Sequence, residues 1–265
     1  MGNPPVHKPR KRFGQNFLHD PRVIQRIIAS IRPREGQRMV EIGPGEGALT
    51  RELLPILGQL DVVELDRDLI PRLESICASL GEIRIHQADA LKFNFCQLSP
   101  ESAQLRIVGN LPYNISTPLL FHLLEMSHCI QDMHFMLQKE VVQRITAKPG
   151  TGQYGRLSVM VQYYCETEML FTVGPGAFHP APKVDSAVVR LVPHRQPPVA
   201  VEATRLSQLV SRAFGQRRKT LRNNLKGLLD ADAIESLGID PGVRPERLSL
   251  EDFARLAQAI NPEPE

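Results

Sequence analysis

Short, almost wholly apolar runs alternate along this chain with stretches whose apolar residues recur every three to four positions. The runs fall at 38–42, 60–64, 83–86, 105–108 and 133–137. Helical spacing marks 21–31, 48–57, 67–80, 117–126 and 139–147. A parallel strand is covered on both faces, so it reads as an unbroken apolar run, and joining two such strands needs a crossover. The alternation therefore predicts a parallel sheet wound with helices. Two later runs, 168–173 and 186–192, flank a proline-rich loop and predict an antiparallel pair closing the sheet edge. The segment PHRQPP, 193–198, breaks all periodicity and predicts a linker. Beyond it, helical spacing returns in Leu206, Leu209, Val210 and Ala213, in Leu221, Leu225 and Leu228, and in Phe253, Leu256 and Ile260. The predicted organisation is an α/β unit over 1–193 and a small all-helical domain over 199–265.

Composition narrows the class. With 265 residues and 42% hydrophobic content, the chain can bury a core without staples. No apolar run reaches membrane-spanning length, and the first residues lack the apolar core of a secretory signal. The cysteines, Cys77, Cys96, Cys129 and Cys165, form no C-x-x-C. They suggest a reducing, cytoplasmic setting, with all four as buried apolar fillers and no metal site. The net charge of +3 is uninformative, but its distribution is not. Lys8, Arg10, Lys11 and Arg12 form one acid-free block, and residues 204–226 hold seven bases and no acid. Residues 227–265 hold nine acids and three bases. Two basic blocks suit a polyanionic partner such as nucleic acid, or simply solvated faces.

Four places carry candidate chemistry. In VEIGPGEGALT, 40–50, a strand ends in a glycine turn before a helix. Gly43 and Gly45 allow close backbone approach to a ligand. The turn fits the dinucleotide fingerprint and equally resembles the first motif of S-adenosylmethionine-dependent methyltransferases. Glu64 ends the next strand, where a carboxylate accepts hydrogen bonds from ribose hydroxyls of either cofactor. Asp89 follows the third strand and reads either as an acceptor for an adenine amino group or as a helix cap. Asn110-Leu111-Pro112-Tyr113 follows the fourth strand and resembles the (Asn/Asp)-Pro-Pro-Tyr motif of methyltransferases acting on exocyclic amino groups. The N6 lone pair of adenine is delocalised into its ring. Two acceptors, the Asn110 side-chain oxygen and a backbone carbonyl near Pro112, can hold both N6 hydrogens and aim that lone pair at a methyl group. Pro112 keeps Leu111 extended, and Tyr113 offers a ring for an extruded base.

Taken together, KRFGQNFL (11–18), EIGPGEGALT, VVELD, QADAL, VGNLPYNISTPLL, LQKEVVQRI, YGRLSV, FHPAPKVDSAVVRL and FGQRRKTLRNNL (214–225) resemble the ribosomal RNA small-subunit adenine dimethyltransferase family over nearly the whole chain. The resemblance implies a Rossmann-like, S-adenosylmethionine-dependent methyltransferase sheet with a small C-terminal helical domain. It implies N6,N6-dimethylation of two adjacent adenines in a loop near the 3′ end of 16S ribosomal RNA, with no metal. Asn16 and Leu18 would close over the cofactor, joining Gly43, Gly45, Glu64, Asp89 and Asn110. Phe178 would face the target base opposite Tyr113, although its residue type alone suggests a core anchor. In the helical domain, Arg217, Arg218, Lys219 and Arg222 would grip RNA phosphate, with 218 and 222 sharing a helical face. The small ribosomal subunit or its precursor is the implied partner, and a cytoplasmic monomer is expected. Three rival readings stay open: a large-subunit methyltransferase of the macrolide-resistance type, a nicotinamide dehydrogenase, and a non-enzymatic ribosome-assembly or transcription factor on the same scaffold.

Overall fold

The computed structural model describes residues 15–99, 104–216 and 218–260. The basic block Lys8–Arg12 and Arg217 lie outside the described residues. By internal packing the chain separates into two units, 1–142 with 168–193, and 143–167 with 194–265. Residues 143–167, which the sequence reading grouped with the α/β part, pack with the C-terminal unit.

The first unit is built on a seven-stranded sheet. In chain order its strands are β2 (Met39–Ile42), β3 (Gln59–Glu64), β4 (Glu82–Gln87), β5 (Leu105–Asn110), β6 (Ile130–Gln138), β7 (Cys165–Val173) and β9 (Ser186–Pro193). The spatial order is β4-β3-β2-β5-β6-β9-β7. The first five are parallel, with Val40 opposite Asp61 and Ile107. Strand β9 runs antiparallel to β6, pairing Phe135 with Val189. The late strands therefore close the edge as expected, but β9 lies between β6 and β7. Helices α2 (Thr50–Leu57), α3 (Ile70–Cys77) and α4 (Ser116–Glu125) join the parallel strands, and α5 (Lys139–Ile145) follows β6. Helix α3 is shorter than the predicted 67–80, since Pro71 sits at its first turn, where the missing amide costs nothing.

A preceding strand, β1 (Phe17–Leu18), pairs antiparallel with β8 (Phe178–His179) as a separate two-stranded sheet. Helix α1 (Pro21–Ile31) follows, its N-terminus capped by Asp20, which accepts from the amides of Arg22 and Val23. Its C-terminus is tied to the sheet by Arg106, whose Nη2 donates to the Ile31 carbonyl at 2.7 Å. The same guanidinium donates through Nε to both Asp132 oxygens at 3.0 and 3.1 Å. A buried charge needs such complete pairing, and this one fixes β5 beside β6.

Cys77 and Cys165 are buried as expected. Cys96 and Cys129 are not fillers: they form a disulfide between two short 3-10 turns, Phe95–Leu98 and Ser127–Cys129.

The second unit is helical. Helix α6 (Arg156–Tyr164), α7 (Ala203–Ala213) and α10 (Leu250–Ala259) form its core, which α8 (Leu221–Asn224) and α9 (Ala231–Ser236) extend. Leu206, Leu209, Val210, Leu221, Leu225, Phe253 and Leu256 are buried, as their spacing predicts, but Leu228 is 41% exposed and Leu229 takes the inward position. Phe214 packs on Phe253 with centroids 5.6 Å apart. A capping box starts α10: Ser249 Oγ accepts from the Asp252 amide, and Asp252 Oδ2 accepts from the Ser249 amide. No helix among the described residues is long and apolar enough to cross a membrane.

Candidate active site

Chain order reverses between β2 and β5. From β2 the chain steps outward through β3 to β4, then returns to β5 on the other side of β2. Ligands of wound α/β sheets sit at the carboxyl ends of strands at this point. A cavity of about 360 Å³ opens there, lined by the turn after β2, the ends of β3, β4 and β5, and residues 15–18. Its size lies within the ordinary range for small-molecule sites.

The turn after β2 needs its glycines. Gly45 has φ +58°, and a Cβ on it would meet the Phe17 ring at 3.1 Å. Gly109 was not singled out in the sequence, although a Cβ there would lie 2.6 Å from the Ile42 carbonyl oxygen. Only glycine lets β5 approach the end of β2 this closely, which carries Asn110 to the turn.

Two buried carboxyls stand beneath the turn. Glu64 accepts from the Asp66 amide at 2.7 Å through Oε1 and from the Gly45 amide at 3.3 Å through Oε2. Burial raises its pKa above the ordinary value, while those two amides act against the shift. Glu41 is more enclosed: burial pushes it up to about 7, against the hydrogen bond from Thr50 and with help from the charge of Glu64. Thr50 Oγ1 donates to Glu41 Oε2 at 2.6 Å. Asp89 lines the cavity and accepts from the Leu91 amide at 3.0 Å within a turn; no helix begins there for it to cap.

At the end of β5, Asn110 Nδ2 donates to the Asn16 carbonyl at 3.0 Å. That bond fixes the amide with Oδ1 left as an acceptor. The Pro112 carbonyl takes the Ile115 amide at 3.2 Å and retains a second lone pair. Tyr113 and Ser186 share a hydrogen bond between hydroxyls at 2.7 Å, and Ser116 Oγ donates to the Tyr113 carbonyl. Burial raises the Tyr113 pKa, with the Ser186 bond acting the other way.

Asn16, Leu18, Gly43, Gly45, Glu64, Asp89, Asn110, Pro112 and Tyr113 thus line one cavity. Phe178 does not line it. It is 3% exposed and packs in the core with Leu18, Ala177 and Val188, the anchor that its residue type alone suggests. The reason is the β1–β8 pairing, which sets Leu18 opposite Phe178. Sequence reasoning missed Ser186, Gln15 and Asp66. Gln15 Nε2 donates to Asp66 Oδ2 at 3.1 Å, a second tie holding the N-terminal segment at the cavity. Nothing in residue spacing relates positions so far apart.

In the second unit Arg218 and Arg222 do not share a helical face. Arg218 and Lys219 lie in a turn and bend, and Arg222 lies in the one-turn helix α8. Arg218, Lys219 and Arg222 are exposed. Nearby in sequence, a polar groove of about 670 Å³ is lined by Arg156, Ser211, Arg212, Gln216 and Asn223, among others.

Comparison with known proteins gives a consistent result. The sequence matches the family described as "Ribosomal RNA adenine dimethylase" over residues 6–262. It is 58% identical over 261 residues to the "Ribosomal RNA small subunit methyltransferase A" of Marinomonas sp. (strain MWYL1), covering 98% of each chain. It is 59% identical over 255 residues to the protein of that name from Pseudomonas putida, covering 96% of each. Among solved structures, a dimethyladenosine transferase from Plasmodium falciparum matches with a TM-score of 0.79 at 26% identity, covering 90% of this chain and 95% of that one. The 23S rRNA methyltransferase ErmE matches at 0.73 and 28%, covering 92% and 99%. With the glycine turn, Glu64 and Asn110 gathered at the switch point of its wound sheet, and with the family matched over residues 6–262, the chain belongs to the ribosomal RNA adenine dimethylase family.

Proposed function

We propose that this chain transfers methyl groups from S-adenosylmethionine to N6 of two adjacent adenines near the 3′ end of 16S ribosomal RNA, during assembly of the small subunit. The observation that carries the reading is the Asn110 amide, pinned to Asn16 so that its oxygen remains an acceptor in the same cavity as Glu64 and the glycine turn.

The residues present fit the cofactor. Gly43 and Gly45 admit it against the backbone, Glu64 has lone pairs for ribose hydroxyls, and Asp89 has one for an adenine amino group. Asn16 and Leu18 would cover it. When bound, S-adenosylmethionine supplies a methyl group on a positively charged sulfur. The rest falls to the chain. Asn110 Oδ1 and the free lone pair of the Pro112 carbonyl accept the two N6 hydrogens and turn the nitrogen lone pair out of the ring. Tyr113, held through its hydroxyl by Ser186, presents a ring for the base to stack on. Positioning and fixed dipoles supply the rate, and the methylated nitrogen is acidic enough to release its proton to water. The helical unit is proposed to hold ribosomal RNA phosphate through Arg217, Arg218, Lys219 and Arg222. The enzyme is proposed to work as a cytoplasmic monomer.

The nicotinamide reading leaves Asn110–Tyr113 without a task, and an intact acceptor pair argues against a purely non-enzymatic factor. The test is incubation of the protein with radiolabelled S-adenosylmethionine and unmethylated small subunits, followed by mapping of the label. Label on two adjacent adenines near the 3′ end is expected. Label confined to large-subunit RNA would overturn the substrate assignment in favour of the macrolide-resistance type.

A further inference from the structure

We infer that Cys96 and Cys129 form a reversible thiol–disulfide pair whose oxidised form braces the adenine side of the cofactor cavity. The inference concerns a modification site apart from the reacting groups. Its link to cofactor rests on the reading of the cavity as an S-adenosylmethionine site; its thiol chemistry does not.

Three observations converge. First, the four cysteines divide into two kinds. Cys77 and Cys165 are buried and single, whereas Cys96 and Cys129 are partly exposed and joined. Only the second pair is open to small oxidants and reductants. Second, the exposed His128 stands beside the pair, its Nε2 3.5 Å from Cys96 Sγ. A ring nitrogen at that distance can take the Cys96 thiol proton and hydrogen-bond the thiolate, the form that reacts. Third, the bond encloses the working parts of the cavity. The two cysteines are 33 positions apart, and the loop between them contains β5, Asn110–Tyr113 and α4. One anchor, Cys96, ends the segment that leaves β4 through Asp89. That segment is also held by Phe93 against Phe95, with centroids 5.0 Å apart, by a hydrogen bond between His122 Nε2 and the Phe93 carbonyl at 2.9 Å, and by the Ala88 amide on the Glu64 carbonyl at 3.2 Å. The disulfide therefore ties the segment carrying Asp89 to the turn after α4 in one covalent ring.

The chemistry balances with a low-molecular-weight disulfide such as oxidised glutathione. The Cys96 thiolate attacks one glutathione sulfur and expels a glutathione thiolate, giving a mixed disulfide. The Cys129 thiolate then attacks Cys96 Sγ and expels the second. Two protein thiols lose two electrons and two protons, and one glutathione disulfide becomes two glutathiones.

The experiment uses the full chain equilibrated in glutathione buffers of rising oxidised fraction, then quenched with N-ethylmaleimide and mapped by peptide mass. In reduced, folded protein, Cys96 and Cys129 should be alkylated while Cys77 and Cys165 stay protected. In oxidised protein a Cys96–Cys129 peptide should replace both adducts. Oxidation should raise the melting temperature by roughly 5–10 °C, as expected for closing a loop of this length. It should also tighten S-adenosylhomocysteine binding, read by calorimetry, by about two- to tenfold through ordering of one segment. Cys129→Ser should stop at the Cys96–glutathione mixed disulfide in oxidising buffers, with no linked peptide and no rise in melting temperature or affinity, and His128→Ala should slow oxidation by about tenfold. Absence of the linked peptide at all ratios overturns the proposal, as does a linked peptide with unchanged melting and affinity. Equal oxidation rates with and without His128 remove that residue's part. If S-adenosylhomocysteine binds neither form, the cofactor reading fails, and the melting shift alone decides the brace.

Discussion

At the cavity, polar side chains are already engaged before any ligand arrives. Glu64 holds two backbone amides, Asn110 is tied to Asn16, and Tyr113 to Ser186. In the helical unit, Arg218, Lys219 and Arg222 are exposed, and among the described residues no carboxylate pairs with them. The first region spends folding energy on fixed geometry, as electrostatic catalysis requires, because dipoles set in advance need no reorganisation during reaction. The second keeps its charge exposed to water, which would suit contact with a phosphate backbone whose counterions can be released. Under the proposed function, chemistry would fall to the buried, fixed contacts and docking to the exposed bases.

Four variants break or sharpen this contrast. Asn110→Ala removes one preorganised acceptor and should lower turnover about a hundredfold, roughly 3 kcal/mol, with a smaller loss of cofactor affinity. Near-normal turnover on ribosomal substrate would mean that the acceptor is not used. Glu41→Gln acts on stability through pH. The folded pKa of about 7 lies above the ordinary 4.5, so the neutral carboxyl's contribution is whole below about 4.5 and lost as pH rises through 7. The variant should match the parent at low pH and exceed its stability by up to about 3 kcal/mol near pH 8. Denaturant titrations at both pH values check this, and parallel pH curves would contradict it. Glu64→Ala should weaken S-adenosylmethionine binding by about 1.5–3 kcal/mol in calorimetry, with RNA affinity unchanged. Arg218→Gln with Arg222→Gln should weaken small-subunit binding roughly tenfold and lower the salt slope by about two, leaving cofactor affinity alone. A lower melting point with an unchanged slope would instead mark these bases as partners of the acidic 227–265 segment.

The parallel strands were legible because strands covered on both faces must be apolar throughout, as in LDVVE of β3 and LRIV of β5. The glycine turn, Glu64 and Asn110 were legible because each ends such a strand. Helix α6 was not foreseen. Its sequence RLSVMVQYY is rich in β-branched and aromatic residues, and packing in the helical unit overrides that preference. Strands β1 and β8 are two residues each, too short to show any period. The shared helical face expected of Arg218 and Arg222 is absent because charge spacing alone does not show where α7 ends at Ala213 and the chain turns. The cysteine pair left no signal, since partners 33 positions apart follow no local spacing rule.

The two-residue pairing of β1 with β8 has a consequence for synthesis. Leu18 leaves the ribosome long before its partner Phe178, about 160 residues later. At ordinary elongation rates that is an interval of roughly 8–30 s. Throughout it the strand that flanks the cavity, with Asn16 and Gln15 beside it, has no β8 to pair with. The five parallel strands can pair as the chain emerges, but the wall of the cavity waits for nearly the last segment of that unit. The nascent enzyme thus has its parallel strands well before it has a finished place for its methyl donor.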